Sequence, residues 1–284
     1  MTFRTHTLGW LTAAAASLLL SASLLSVPVS AQEGAHEQPT PARQSWTFAG
    51  PFGKFDRAQL QRGFQVYKEV CSNCHSLSIP FRTLAQPGGP EYSEAQIKTL
   101  AASYKVKDGP NEAGEMFERA GRPSDNFPWA FANEQAAAAA LGKSPPEMNL
   151  LAKARKYERG FPLFLIDPFI QYQELGPDYI YALLNGYSKA DDPNYNDYYP
   201  GHKIAMGAPL SDGVVTYTDG SPQTLQQYAK DVASFLYWAA EPSMEARKKM
   251  GFRVMVFLII FAGLLYFTKK KVWADVHGDA VTTH

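Results

Sequence analysis

The stretch that decides the fold is Cys71-Ser72-Asn73-Cys74-His75, which has the pattern C-x-x-C-H. Two thiols three positions apart lie on one turn of a helix, so both can bond to the vinyl groups of one porphyrin, and His75 can then supply a nitrogen ligand to the iron. A thioredoxin-like pair would need a βαβ context that the flanks lack. A zinc site would need two more ligands at similar spacing, yet the chain has only two cysteines. The motif therefore predicts one covalently attached haem c.

The charge composition argues against nucleic-acid binding, and the charges are unevenly distributed along the chain. The 284 residues contain 27 Lys and Arg and 27 Asp and Glu, so no basic excess indicates nucleic-acid binding. Residues 160–245 carry eleven Asp or Glu against three Lys, a net charge of −8, whereas residues 32–159 are close to +2. Such an acidic excess is typical of solvated surface, and it can also steer a basic partner by long-range attraction.

The N-terminal residues 1–31 are typical of a secretory signal peptide. Arg4 precedes an uncharged run that begins at Leu8, and Val29-Ser30-Ala31 offers a small-residue cleavage site. An uncleaved membrane anchor is the alternative. Export agrees with the haem prediction, because covalent attachment takes place outside the bacterial cytoplasm.

Four further segments complete the predicted organisation: a flexible lead-in at 32–50, a periplasmic haem domain at 51–246, a transmembrane anchor at 247–270 and a cytoplasmic tail at 271–284. Residues 250–268 contain one charge, Arg253, among long apolar runs, which is close to the length that spans a bilayer. A buried core helix is the alternative. An exported domain that meets a stop-transfer segment leaves its C-terminus in the cytoplasm.

Hydrophobic spacing and turn signals predict the helices of the domain. They are expected at residues 56–71, 91–104, 133–141, 148–157 and 178–184, and from Ser221-Pro222 to about Ala240, with mostly loop and short helices over 76–146. Gly63 in the middle of the first helix lowers its stability, so close contact with another helix is the expected reason for it.

The residues alone do not decide which side chain is the second axial ligand of the iron. Met206 lies among small neighbours in Gly201-His202-Lys203-Ile204-Ala205-Met206-Gly207-Ala208-Pro209, which would let a porphyrin approach the backbone. Met148 and His202 are the alternatives, and Met116 has the usual character of a core methionine. An open sixth position would instead favour gas binding or peroxidase chemistry.

Several longer stretches resemble the cytochrome c1 family of the bacterial quinol–cytochrome c reductase, complex III, in the family's order. They are RGFQVYKEVCSNCHS (62–76), DGPNEAGEMFERAG (108–121), PPEMNLLAKAR (145–155), DYIYALLNGY (178–187), YYPGHKIAMGAPL (198–210) and AKDVASFLYWAAEPSMEARKKMG (229–251). The resemblance implies a mostly α, class I-like cytochrome c haem domain with long loop insertions and one C-terminal transmembrane helix.

The resemblance also implies roles for single residues. Cys71 and Cys74 would attach the haem, His75 and Met206 would bind its iron, and Arg155 would bind a propionate. Porphyrin-packing residues of the family are matched by Pro146, Tyr179, Leu183 and Leu184. Gly63 and Tyr67, opposite the helix at 222–240, match the family's crossed helix pair.

The implied function is one-electron transfer in the bacterial inner membrane, from a Rieske iron–sulfur protein to a soluble or anchored cytochrome c. The partners would include cytochrome b and membrane lipid, in a dimeric complex, with the acidic excess as the docking surface for cytochrome c. The chain would not be an enzyme on its own. A c-type cytochrome serving another oxidase or dehydrogenase is the alternative. Some bacterial relatives carry a second cysteine pair near the sixth-ligand loop, and because this chain has none, packing and hydrogen bonds must hold that loop.

Overall fold

The structure, a computed structural model, describes residues 39–157 and 174–274. In chain order its elements are α1 (Arg57–Glu69), a 3-10 turn (Cys71–Asn73), a second 3-10 turn (Phe81–Ala85), α2 (Glu94–Ala102), β1 (Lys105–Asp108), β2 (Phe117–Ala120), α3 (Glu134–Leu141), α4 (Leu151–Ala154), α5 (Leu175–Asn185), α6 (Leu225–Ala240) and α7 (Met244–Val272). The mostly α fold is as predicted. The predicted signal peptide lies outside the described residues.

Helices α1 and α6 cross at the centre of the core. A Cβ built on Gly63 would lie 2.1 Å from the carbonyl oxygen of Asp231 and 2.7 Å from the Cβ of Phe235, so only glycine allows this approach. The rings of Phe64 and Tyr67 pack on Phe235, with centroid distances of 5.6 and 6.0 Å. The contact predicted at Gly63 and Tyr67 is confirmed.

The buried carboxylate of Asp231 stabilises the crossing of α1 and α6. Asp231 is fully buried, and its oxygens accept hydrogen bonds from Arg62 Nε at 2.9 Å and from the hydroxyl of Tyr217 at 3.0 Å. The amides of Gln59 and Gln227 also donate to it, at 3.1 and 2.9 Å. Because a buried charge is costly unless it is paired and hydrogen-bonded, these donors are what make Asp231 tolerable in the core.

Local capping explains where most helices begin. Asp56 accepts from the backbone of Gln59 ahead of α1, and Asn133 accepts from the backbone of Ala136 ahead of α3. Ser93 and Gln96 form a reciprocal capping box that starts α2. These side chains satisfy backbone N–H groups that have no partner within the helix.

Two predicted helix boundaries are wrong, and one pair of short strands was not predicted. Helix α6 begins at Leu225 and not at Ser221-Pro222, because Thr224 supplies the cap and Ser221 N bonds to Asp219 in the preceding turn. The helix predicted at 148–157 is reduced to the single turn α4. The region predicted as mostly loop contains the antiparallel pair of β1 and β2, in which Lys105 pairs with Ala120 and Asp108 with Phe117.

The predicted flexible lead-in is wrong over residues 39–50. Trp46 and Phe48 are buried in the core, and their rings stack at 5.3 Å. Trp46 Nε1 donates to Asp178 Oδ1 at 2.8 Å, and the backbone N–H of Gln44 donates to the same oxygen at 3.0 Å. This N-terminal segment is therefore part of the domain and fixes the start of α5.

Helix α7 carries the predicted anchor. It is 29 residues long, its most apolar window has a mean hydropathy of 2.2, and none of that window is buried. Among the described residues it is the one helix long and apolar enough to cross a membrane. An apolar helix this exposed requires an apolar environment, and the buried-core alternative is excluded by its exposure.

Candidate haem site

The C-x-x-C-H motif forms a tight turn directly after α1. The backbone N–H groups of Cys74 and His75 both donate to the carbonyl of Cys71, at 3.1 and 2.8 Å. Both cysteines are half-buried free thiols. Burial, together with the neighbouring Cys74, raises the pKa of Cys71 to about 12.

His75 is held in the tautomer that an iron ligand needs. Its Nδ1 lies 2.8 Å from the carbonyl oxygen of Pro146, and because a carbonyl only accepts, Nδ1 carries the proton. The lone pair of Nε2 is then available to a metal. The ring is 8% exposed, and burial lowers the pKa of His75, partly offset by the Pro146 bond, so the neutral form is favoured. A histidine oriented through its second nitrogen is the usual arrangement at metal centres.

Two aromatic side chains brace the backbone of the motif. Trp129 Nε1 donates to the carbonyl of Cys74 at 2.8 Å, and the hydroxyl of Tyr67 donates to the carbonyl of His75 at 3.3 Å. Trp129 comes from the segment between β2 and α3, which no pattern in the sequence connects with the motif. It is a site residue that the sequence analysis missed.

The segment after Pro146 leads from the motif to the next predicted site residues. The backbone N–H of Met148 donates to Ser76 O at 3.0 Å, one residue beyond His75. Helix α4 follows and ends at Arg155, whose positive charge lowers the pKa of Tyr179, although burial raises that pKa more. Arg155 and Tyr179 therefore lie close together, as a shared site requires. Arg155 is exposed and Tyr179 is buried.

Helix α5 carries three of the residues predicted to pack on the porphyrin. Tyr179 and Leu184 are buried and Leu183 is half-buried. A Cβ on Gly176, in the first turn, would lie 1.6 Å from Ala152 O, so glycine is what lets α5 lie directly on α4. The structure thus places Tyr179, Leu183 and Leu184 on α5, and Arg155 directly after α4, the helix that α5 contacts.

The loop with Met206 is fastened to the C-terminal end of α5. The hydroxyl of Tyr187, two residues past the helix, donates to Met206 O at 3.0 Å, and burial raises the pKa of Tyr187, which keeps that donor protonated. Buried Asn196 donates through Nδ2 to Leu183 O at 2.8 Å. The backbone of Ile204 donates to Asn194 O at 2.9 Å. These bonds hold the loop without a second cysteine pair.

The alternatives for the sixth ligand differ in their surroundings. Met148 is 7% exposed and belongs to the hydrophobic core, and Met116 is 64% exposed at the β1–β2 turn. His202 has a φ of 59°, its Nδ1 bonds to Asn196 O at 3.1 Å, and its ring stacks on Tyr195 at 5.3 Å. Met206 is half-buried. Met148 therefore belongs to the core, Met116 is largely exposed to solvent, and His202 is oriented by hydrogen bonding and stacking within its own loop.

The residues present fit a haem c. The neutral, buried and oriented imidazole of His75 is suited to an iron ligand, and the two half-buried thiols of the motif are free. Within residues 39–157 and 174–274, no cluster of three or more His, Cys, Asp or Glu side chains could hold a metal ion.

Comparison with known proteins decides the family. Residues 46–276 match the model of the Cytochrome C1 family. The chain belongs to the cytochrome c1 family. It is 47% identical over 274 residues to a cytochrome c1 of Blastochloris viridis, covering 93% of this chain and 95% of that protein. A cytochrome c1 of Rhodospirillum rubrum is 41% identical over 260 residues, covering 82% and 88%.

A longer relative also matches. The protein named cytochrome b/c1 of Bradyrhizobium diazoefficiens is 60% identical over 257 residues, covering 87% of this chain but only 37% of that protein. Family membership confirms the resemblance, agrees with the mostly α fold and supports a haem c electron-transfer subunit of the cytochrome bc1 complex. With α7, it also supports a membrane-anchored protein.

Proposed function

We propose that one haem c is attached through Cys71 and Cys74, with His75 and Met206 as its axial ligands, and that the chain passes single electrons from a Rieske iron–sulfur protein to a cytochrome c. The observation that carries the proposal is the hydrogen bond from His75 Nδ1 to Pro146 O, which presents Nε2 as a ligand inside a C-x-x-C-H turn. A haem c held by these residues would supply a one-electron iron centre between the Rieske protein and cytochrome c.

The residues of the chain position and protect that centre. Pro146, Trp129 and Tyr67 hold the His75 side through hydrogen bonds, and Tyr187 holds the backbone of Met206. Arg155 presents five fixed donors that suit a propionate carboxylate. Tyr179, Leu183 and Leu184 supply apolar surface for the porphyrin. No side chain needs to act as an acid, base or nucleophile in electron transfer.

The proposed setting is the bacterial inner membrane, with the haem domain in the periplasm, α7 crossing the membrane and the C-terminus in the cytoplasm. Cytochrome b would be the partner within the membrane, as the name of the Bradyrhizobium diazoefficiens relative suggests, in a dimeric complex. The signal peptide at 1–31 and the exposed apolar surface of α7 support this orientation.

The ligand assignment is tested by the near-infrared spectrum of the oxidised protein. A Met sulfur bound to ferric haem gives a weak charge-transfer band there, so the wild type should show the band and Met206→Leu should lose it, with a large fall in reduction potential. Met148→Leu is the matched control, because it removes a thioether from the core at nearly constant volume. Retention of the band in Met206→Leu, or its loss in Met148→Leu, would contradict the assignment.

Docking of cytochrome c needs acidic residues that face solvent, and several in the 160–245 segment do not. Glu174, Asp178 and Asp231 are buried. Asp191, Asp212 and Asp219 are exposed, although Asp219 also pairs with Arg62. These three are the candidates for steering a basic partner.

Electron transfer to a basic cytochrome c should therefore slow steeply as salt rises, because screening shortens the range of attraction. Asp191→Asn/Asp212→Asn should flatten that salt dependence, measured by stopped-flow kinetics. The matched control is Glu112→Gln/Glu115→Gln, two exposed carboxylates in the β1–β2 connection. A rate independent of salt would count against docking at this surface.

A further inference from the structure

A cavity of about 450 Å³ lies between the turn at 51–54 and the first turns of α7. Glu245, Lys248, Lys249 and Phe252 line it from positions i, i+3, i+4 and i+7, which form one face of a helix. Lys54 and Phe52 line it from the turn, and Arg253 follows one turn after Lys249. Neither the haem site nor the membrane crossing requires this cavity.

The cavity is strongly cationic. Four of its side chains are Lys or Arg, and Glu245 is its one carboxylate. Glu245 accepts from the backbone of Phe55 at 3.0 Å, and Lys248 Nζ donates to Phe48 O at 2.6 Å, so both are committed to the fold. Across the described part of the chain, the side chains of Lys54, Lys249 and Arg253 make no ion pair or hydrogen bond. Three cations are therefore left to bind an anion.

The position of the site at the start of the membrane crossing favours a lipid headgroup over a free anion. Arg253 is the single charge within the apolar residues 250–268, and a charge at the start of a membrane crossing needs a partner or a route to the interface. Phe52 and Phe252 are 71% and 55% exposed, and their rings meet edge to face at 5.6 Å beside the cations. Exposed apolar rings beside the start of a membrane crossing need apolar surroundings, which the upper acyl chains of the membrane supply. The cavity thus joins cations to an apolar rim.

We propose that this cavity binds the phosphodiester headgroup of an anionic phospholipid of the phosphatidylglycerol class. Lys54, Lys249 and Arg253 contact the phosphate, and Phe52 and Phe252 pack on the glycerol and the upper acyl chains. A free phosphate would use the cations and leave the aromatic rim without a role. The inference rests on membrane anchoring by α7 and does not depend on the electron-transfer assignment.

The test is native mass spectrometry of the full-length, haem-loaded protein, purified in detergent with its associated subunits and titrated with phosphatidylglycerol. The wild type should retain phosphatidylglycerol in preference to phosphatidylcholine with the same acyl chains. Lys249→Gln/Arg253→Gln should weaken retention roughly 30-fold, the loss expected for two juxtamembrane cations. The matched control, Arg82→Gln/Lys98→Gln, removes two exposed cations away from the cavity and should change nothing.

The absorption spectrum of the bound haem should be unchanged in both variants, which shows that each has folded and keeps the readout separate from the electron-transfer proposal. Equal lipid retention by wild type and Lys249→Gln/Arg253→Gln would overturn the proposal. Displacement of phosphatidylglycerol by inorganic phosphate would do so as well, because it indicates a free-anion site. Loss of a co-purified subunit with unchanged lipid retention would also overturn it, by showing a protein contact.

Discussion

The two predicted iron ligands lie in regions that are built differently. His75 follows α1, which is locked to α6 by a glycine contact and a packed set of aromatic rings. Met206 lies in an irregular loop that hydrogen bonds from Tyr187 and Asn196 attach to α5. The His75 side is held by close packing together with hydrogen bonds, whereas the Met206 side is held by a few polar bonds alone. We expect the stability of the domain to depend on the first and the persistence of the sixth ligand on the second.

Gly63→Ala should give the largest effect. Its Cβ would lie 2.1 Å from the backbone oxygen of Asp231, which cannot rotate away, so we expect a loss of more than about 4 kcal/mol in the free energy of unfolding. Gly207→Ala is the control in the Met206 loop, where nothing lies within 4 Å of the new Cβ, and it should change stability by less than about 1 kcal/mol. Denaturant unfolding measures both. Similar losses in the two variants would contradict the comparison.

Asp231→Asn should come second. It removes the buried charge that pairs with Arg62, which is left with Asp219 at 2.9 Å as its remaining carboxylate. We expect a loss of about 3 kcal/mol, the low end for breaking a buried ion pair, with the near-infrared Met band retained. Asp212→Asn is the control, because it makes the same change at an exposed carboxylate. Loss of the Met band in Asp231→Asn at unchanged stability would contradict the comparison, because it would show that Asp231 controls Met206 ligation and not the stability of the helix crossing.

Tyr187→Phe should have the smallest effect on stability and the most selective one. It removes the donor to Met206 O, and a hydrogen bond of this kind contributes about 1 kcal/mol. The equilibrium constant between the Met-ligated form and forms in which Met206 has dissociated should therefore fall roughly fivefold. The near-infrared band, recorded as pH rises, measures this equilibrium. Tyr181→Phe, on α5 itself, is the control. A shift of equal size in Tyr181→Phe would contradict a specific role for Tyr187.

The same contrast explains what the sequence could predict. The haem motif, α1 and α7 are local patterns of spacing and apolar length, and the caps at Asp56 and Asn133 lie next to the helices that they start. The glycine contact at Gly63 was predictable because glycine is costly in mid-helix. Each of these signals is contained within about one helix length of the chain.

The contacts that the sequence could not predict join distant parts of the chain. Trp129 reaches Cys74 across 55 positions, and Trp46 reaches Asp178 across 132. Hydrogen bonds between residues far apart in sequence produce no periodic pattern. The sequence therefore predicted a flexible segment over 39–50 and did not point to Trp129. Ser221-Pro222 resembled a helix start, but the competing cap at Thr224 prevailed. For Met206, residue chemistry favoured it but left Met148 and His202 open, and the family resemblance strengthened the choice.

The burial of Trp46 and Phe48 has a consequence for how the protein matures. These residues are synthesised early, yet their partners Asp178 and Lys248 come 132 and 200 positions later. The first part of the domain therefore cannot settle into the core until almost the whole domain has been made. The cysteines at 71 and 74 emerge long before that point. They are thus accessible to the attachment machinery in a chain that is still open, and closure by the N-terminal segment comes last, since contacts of long sequence separation form slowly.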